Sequence, residues 1–181
     1  MEEADSLPLV ALTAWQALVE RGPVQPGQKV LIHAGAGGVG SIAIQLAKHL
    51  GATVASTASG SSADFVRELG ADTVIDYRTQ DFEQLLTGYD LVLDSLRGEN
   101  LEKSLRVLKA GNKAIGIAGP PDPTFACEAG LNPVLRVAIT GLSAGIRRQA
   151  KKLGVSYEFL FMRASGDPSS SDHQQLTGEP S

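Results

Sequence analysis

Between Gly35 and Gly40 the sequence reads Gly-Ala-Gly-Gly-Val-Gly, with glycines at the first, third and sixth places of a G-x-G-x-x-G pattern. The run follows the apolar stretch Val30-Leu31-Ile32-His33 and opens a helical pattern from Ile42 to Leu50. In that setting each glycine has a task. Gly35 allows a tight turn out of a strand, Gly37 leaves bare main chain for an approaching diphosphate, and Gly40 lets the helix lie close to the strand. Free N–H groups and partial positive charge at the helix start favour an anion there. A triphosphatase phosphate loop needs Lys and then Ser or Thr after its second glycine, but Gly40 is followed by Ser41 and Ile42, which excludes it. The pattern points to dinucleotide binding; a glycine-rich turn without a ligand is the bland alternative.

About 20 residues beyond such glycines, NAD-binding folds place an acid that accepts hydrogen bonds from the adenosine ribose. Here that stretch is Thr57-Ala58-Ser59-Gly60-Ser61-Ser62, and the first acid is Asp64. An acid would repel a 2′-phosphate, whereas Ser59, Ser61 and backbone N–H groups at the next helix start can donate to one. The expected coenzyme is therefore NADPH. The missing acid also argues against an S-adenosylmethionine methyltransferase. The serines have a second available role as helix caps, and Arg67 is a candidate helper at the phosphate.

Other chemistry is poorly supported. His33, His49 and His173 lack a spacing that converges on a metal, and His33 ends an apolar strand, where a packed imidazole is expected. Cys127, the single cysteine, has no His or Lys nearby in sequence to activate it and forms no internal disulfide. Tyr-x-x-x-Lys is absent: Tyr77, Tyr89 and Tyr157 are followed four residues on by Asp81, Leu93 and Phe161. No catalytic residue and no metal ligand is assigned. Lys and Arg total 16 against 20 Asp and Glu, a net charge of −4 that gives phosphate backbones or anionic lipid no basic surplus. No nucleic-acid or membrane partner is expected. The acidic start, Met1-Glu2-Glu3-Ala4-Asp5, is unlike a secretory or organellar leader, so the expected location is the cytoplasm.

The elements that must position the glycines follow from periodicity. A length of 181 residues, with 43% apolar residues, suits one core. Short apolar runs at Lys29–Ala34, Thr53–Thr57, Thr73–Ile75, Leu91–Asp94, Lys113–Ile117 and Tyr157–Phe161 alternate with amphipathic patterns, the signature of an α/β fold with a parallel sheet. Gly51, Gly70 and Gly111 are expected to end helices. A helix over residues 6–20, stopped by Gly22-Pro23, packs beside the sheet. After the Pro-rich loop at residues 119–123, Leu131, Val134, Leu135, Ala138, Ile139 and Leu142 have helical spacing, and the cluster Arg147, Arg148, Lys151 and Lys152 reads as its solvated last turns. Residues 1–165 are taken as the domain and the polar segment 166–181 as a disordered tail.

Taken together, Leu9-Val10-Ala11-Leu12-Thr13-Ala14-Trp15-Gln16-Ala17-Leu18, Val24-Gln25-Pro26-Gly27-Gln28-Lys29-Val30-Leu31-Ile32, the glycine run, Leu69-Gly70-Ala71-Asp72, Val74-Ile75-Asp76-Tyr77, Tyr89-Asp90-Leu91-Val92-Leu93-Asp94 and Leu108-Lys109-Ala110-Gly111 resemble the medium-chain dehydrogenase/reductase superfamily. The nearest branch is that of the zinc-free, NADPH-dependent quinone-oxidoreductase-like proteins. The resemblance implies a Rossmann-type doubly wound sheet of order 3-2-1-4-5-6, pyrophosphate at Ala36 to Val39 including Gly37 and Gly38, and a 2′-phosphate near Ser59 and Gly60. It places Tyr77 beside the adenosine, and Leu96, Ile117 and Ala118 near the nicotinamide. The implied reaction is hydride transfer from NADPH to a quinone or enone, without zinc.

The family's catalytic barrel-like domain, which helps form the substrate cleft, is absent from these residues, so the chain reads as a cofactor domain cut from its enzyme and poorly active alone. A non-catalytic dinucleotide-binding module or a defective fragment are the alternatives. Relatives commonly pair through edge strands, which makes residues 156–161 the expected homodimer contact.

Overall fold

The computed structural model describes residues 2–96, 98–123, 125 and 132–160; Cys127, Leu131, Phe161 and the segment 166–181 lie outside them. Six strands, β1 (Lys29–Ile32), β2 (Thr53–Ala58), β3 (Thr73–Asp76), β4 (Tyr89–Asp94), β5 (Leu108–Gly116) and β6 (Ser156–Phe159), form one sheet in the order β3-β2-β1-β4-β5-β6. Every pairing is parallel, as the sequence led us to expect. The helices are α1 (Glu2–Trp15), α2 (Gly38–His49), α3 (Ala63–Glu68), α4 (Phe82–Leu85), α5 (Glu99–Arg106) and α6 (Pro133–Leu153).

Aliphatic residues on both faces of each central strand explain the two-sided packing. Val30 and Ile32 face a core with Ala14, Leu18, Ala43, Ile44 and Val66, while Leu31 and Val92 face a second with Phe82, Leu101, Leu105 and Ala150. The sheet thus lies between α1, α2 and α3 on one side and α4, α5 and α6 on the other. β1 touches both β2 and β4, so the chain leaves it in opposite directions and opens a crevice at its carboxyl end.

Three details depart from expectation. The first helix starts at Glu2, not Ser6, and its last turn, Gln16–Arg21, widens into a π-helix. Gly22 N–H donates to Ala17 O at 3.0 Å, and Pro23, lacking an N–H, cannot continue a helical ladder. Gly111 does not end a helix: α5 stops at Arg106 with Val107 as its cap, and Gly111, at φ +84°, lies in an irregular first half of β5, between the pairings Tyr89–Leu108 and Leu91–Lys113. The short helix α4 has no counterpart among the expected elements. Gly51 and Gly70 do follow helices, at φ +82° and +107°. Arg147, Arg148, Lys151 and Lys152 are exposed along α6.

The approach of α2 to β1 is set by Gly40. A Cβ there would collide with the Ala34 carbonyl oxygen and lie 2.9 Å from both Ala34 C and Gly35 Cα, all backbone atoms that cannot step aside. We expect Gly40→Ala to destabilise the chain by about 1–3 kcal/mol, seen as a lower urea midpoint at unchanged slope. Gly38→Ala, whose added carbon would meet only Val10 Cγ1 at 3.4 Å, should stay within about 0.5 kcal/mol of the parent.

Candidate functional site

The glycine turn is built around one strained residue. Ala34 sits at φ +52°, a left-handed conformation disfavoured for a residue with a Cβ. Thr57 at the end of β2 holds it: Ala34 N–H donates to Thr57 Oγ1 at 3.2 Å, and Gly35 N–H to Thr57 O at 2.9 Å. Gly35 is buried; a Cβ there would overlap Ser56 Oγ and lie 2.9 Å from Ile44 Cδ1. Ala36, Gly37 and Gly38 are exposed, and a Cβ on Gly37 would meet only Ala34 O, at 3.2 Å. The first N–H groups of α2, at Gly38, Val39 and Gly40, have no carbonyl four residues back within the helix. Buried glycines therefore fix the turn, and exposed ones leave a bare cradle that a side chain would fill, so these residues fit a diphosphate.

At the end of β2, Ser59 Oγ lies 3.0 Å from Ser61 Oγ and 3.1 Å from Ser62 Oγ. Neither Ser59 nor Ser62 caps a helix with its side chain, so the hydroxyls bond one another. Arg67, the candidate helper, is held 2.6 Å from Asp64. Tyr77 is 57% exposed, and the Arg78 guanidinium stands 5.9 Å from its ring centre. An acid is present as well. Asp76, which ends β3 beside Ala58, brings Oδ2 to 2.7 Å from the position of a Cβ on Gly60.

The ends of β4 and β5 meet at Asp94, which is fully buried. Its backbone O accepts Ile117 N–H at 2.9 Å, Oδ1 accepts Leu96 N–H at 2.8 Å, and Oδ2 accepts Ser104 Oγ–H at 2.8 Å. His33 lies behind it, with Nε2 2.9 Å from Ser104 Oγ and Nδ1 3.1 Å from Thr57 Oγ1, while Phe82 packs edge-on at 4.7 Å. Burial pushes Asp94 up from 3.8 to about 6, against the lowering effects of Ser104 and the Leu96 N–H. Burial also lowers His33 from 6.5 to about 4, so the imidazole is neutral. The loop after β5 is pinned from β6. Tyr157 O–H donates to Pro120 O at 2.9 Å, and Asp122 accepts Phe125 N–H at 2.8 Å and Phe159 N–H at 3.3 Å.

The structure thus lines up Gly35, Ala36, Gly37, Gly38, Val39 and Gly40 after β1, Ser59 and Gly60 after β2, Tyr77 after β3, Leu96 after β4, and Ile117 and Ala118 after β5. All twelve fall along the carboxyl edge of the sheet. Sequence reasoning missed Asp76, Asp94, Ser104, Asp122 and Tyr157. An acid closing an apolar run, as in Leu91-Val92-Leu93-Asp94, was the available signal for one of them.

A doubly wound parallel sheet with a glycine turn at its switch point defines a dinucleotide-binding α/β domain. The sequence profile of the zinc-binding dehydrogenases matches residues 38–144, and the chain belongs to that family, within the medium-chain dehydrogenase/reductase superfamily. It is 47% identical over 116 residues to the polyketide synthase GfsB of Streptomyces halstedii, covering 63% of this chain and 2% of that protein. To 2-methylene-furan-3-one reductase of Solanum lycopersicum it is 42% identical over 123 residues, covering 67% of this chain and 31% of the reductase. The solved quinone oxidoreductase of Coxiella burnetii superposes with a TM-score of 0.68 at 32% identity, over 85% of this chain and 42% of that one. The chain therefore spans under a third of either curated relative. Among the described residues, no group of three or more His, Cys, Asp or Glu is placed to hold a metal ion, and no helix is long and apolar enough to cross a membrane.

His33 and Asp94 have opposite linkages. The folded-state pKa of Asp94 is raised, so its contribution is fully present below about pH 4 and is lost as pH rises through about 6; that of His33 is depressed, so its contribution grows from about pH 4 and is complete above about 6.5. Each amounts to about 3 kcal/mol, and in the parent they offset one another. Asp94→Asn should make urea stability rise with pH across that window relative to the parent, and His33→Gln should make it fall. Identical pH profiles for all three proteins would contradict the assignment.

Proposed function

We propose that this chain is the NADPH-binding domain of an oxidoreductase that passes hydride from NADPH to a quinone or an α,β-unsaturated carbonyl compound. The observation that carries the reading is the exposed main chain of Ala36, Gly37 and Gly38, which opens onto the start of a 12-residue helix at the switch point of the sheet. Ala36 to Val39 would seat the diphosphate. Ser59, Gly60 and Tyr77 would take the adenosine end, and Leu96, Ile117 and Ala118 the nicotinamide end. When bound, the coenzyme supplies the hydride from its nicotinamide C4. The domain contributes orientation and exclusion of water.

Of the twelve residues, only Tyr77 carries a titratable side chain, and it lies at the adenosine end. A carbonyl-polarising group and a proton donor are therefore assigned to a barrel-like domain of the whole enzyme. The substrate class is supported by the names of two relatives, a furanone reductase and a quinone oxidoreductase.

Titrating the chain with NADPH, followed by nicotinamide fluorescence, tests the reading: we expect saturable binding, with little turnover when a small quinone is added. Gly37→Val should keep the unfolding free energy from urea titration within about 1 kcal/mol of the parent and weaken NADPH at least about tenfold, because its methyl groups would occupy the diphosphate position. Unchanged binding by that variant, or no binding by the parent, would sink the assignment. Asp76 opposes a 2′-phosphate beside Gly60. Asp76→Asn should tighten NADPH by about three- to tenfold while leaving NADH unchanged, as read by parallel titrations.

A further inference from the structure

We propose that Asp94 is a positioning and charge-setting residue that makes the bound coenzyme favour its oxidised form, through a directed hydrogen-bond chain joining the two loops that flank the crevice. The inference rests on the coenzyme-binding reading above and adds a role for a residue that touches no coenzyme.

The chain of bonds has a direction. An ionised Asp94 offers only acceptors, so Ser104 Oγ–H points to Oδ2 at 2.8 Å. Ser104 Oγ can then only accept from His33, which puts the imidazole proton on Nε2, at 2.9 Å. Nδ1 is left as an acceptor for Thr57 Oγ1–H at 3.1 Å, and Thr57 Oγ1 in turn accepts Ala34 N–H at 3.2 Å. At the other end, Oδ1 takes Leu96 N–H at 2.8 Å. One polarised chain therefore runs from the strained residue that starts the glycine turn to the loop expected at the nicotinamide. Asp94 also accepts Ile117 N–H on its backbone oxygen, so a single residue holds both segments at that end.

Protonating Asp94 breaks the order without breaking the contacts. Oδ1 faces an N–H, so the added proton sits on Oδ2 and points at Ser104 Oγ. Ser104 then turns its own proton to Asn100 O, which waits at 2.8 Å. Every group stays paired, and what changes is one negative charge buried behind Leu96 and Ile117. Oxidised nicotinamide carries a positive ring charge and the reduced ring is neutral. A buried carboxylate behind it stabilises the oxidised ring selectively and so assists hydride departure.

The surroundings leave Asp94 as the group that titrates near pH 6. Burial pushes it there. His33, from the end of β1, approaches to 4.0 Å but is kept neutral by burial down to about pH 4. Tyr157 on β6 is raised by burial and then by the Asp94 and Asp122 charges, so it also stays neutral. Asp122 is occupied by Phe125 and Phe159 N–H groups, and Lys103 on α5 pairs with Asp81 at 2.7 Å.

The test is the ratio of dissociation constants for NADPH and NADP+ on the full chain, by calorimetry from about pH 5 to about pH 8. The 2′-phosphate titrates in the same range, but both forms carry it, so it cancels in the ratio. We expect NADP+ to gain on NADPH by about tenfold as pH rises, with a midpoint near 6. Asp94→Asn should hold the low-pH ratio throughout, with circular dichroism confirming its fold. Ser104→Ala removes a donor to the carboxylate and should move the midpoint upward, which keeps the test decisive if Asp94→Asn does not fold. A ratio independent of pH in the parent, or a pH dependence that Asp94→Asn leaves unchanged, overturns the proposal while leaving the coenzyme reading intact. Failure of both coenzymes to bind at any pH overturns the coenzyme reading, and this proposal with it.

Discussion

The contact between the end of β1 and the start of α2 is the constraint on which the rest of the molecule depends. With Gly40 against the Ala34 carbonyl and Gly35 buried against Ser56 and Ile44, the helix meets the strand with no side chain between them. That closeness aims the helix N-terminus into the crevice, and it also forces Ala34 to φ +52°. Left-handed Ala costs on the order of 1–2 kcal/mol. Thr57 compensates by taking the N–H groups of both Ala34 and Gly35. Strain at the turn is thus tied to β2, and the geometry of the cradle cannot relax without breaking the sheet's own edge contacts.

The opposite end of the crevice is governed by side chains instead. Leu96 and Ile117 are placed by hydrogen bonds to Asp94, and the loop after Ile117 is fixed by Tyr157 and Asp122. Gly116 and Gly119 make room for the Tyr157 ring, since a Cβ on either would run into it. An edge strand therefore reaches the site through its aromatic residue. Damage to β6 should be felt at the crevice as well as in the stability of the sheet.

Much of this was legible in the sequence because it is local. Strand and helix periodicity, the glycine run between them, and the helix-ending Gly51 and Gly70 are properties of a few consecutive residues. What was not legible depends on register. Asp76 is 16 residues from Gly60 in the chain, yet parallel pairing sets Asp76 opposite Ala58 and carries its carboxylate to Gly60. The acid missing from the end of β2 is thus partly restored from the next strand, which a scan along the sequence cannot detect. Gly111 misled for the related reason that a positive-φ glycine serves a bulged strand as well as it ends a helix. His33 read correctly as a packed imidazole, but its partners, Thr57 and Ser104, come from other elements.

The division between backbone and side chain bears on what such a domain can determine. Along the carboxyl edge the candidate site residues are glycines, alanines, aliphatics, a serine and one tyrosine, and they offer shape and N–H groups more than reactive chemistry. The electrostatic features at this edge include a helix terminus, the Asp76 carboxylate, the Arg78 guanidinium beside Tyr77 and the carboxyl group buried at Asp94. None of these features reads a substrate's carbon skeleton. The same unit can therefore serve proteins as different in name as a polyketide synthase and a furanone reductase, of which it spans 2% and 31%. Any discrimination among substrates by such proteins must then come from groups outside the glycine turn and the strand ends beside it.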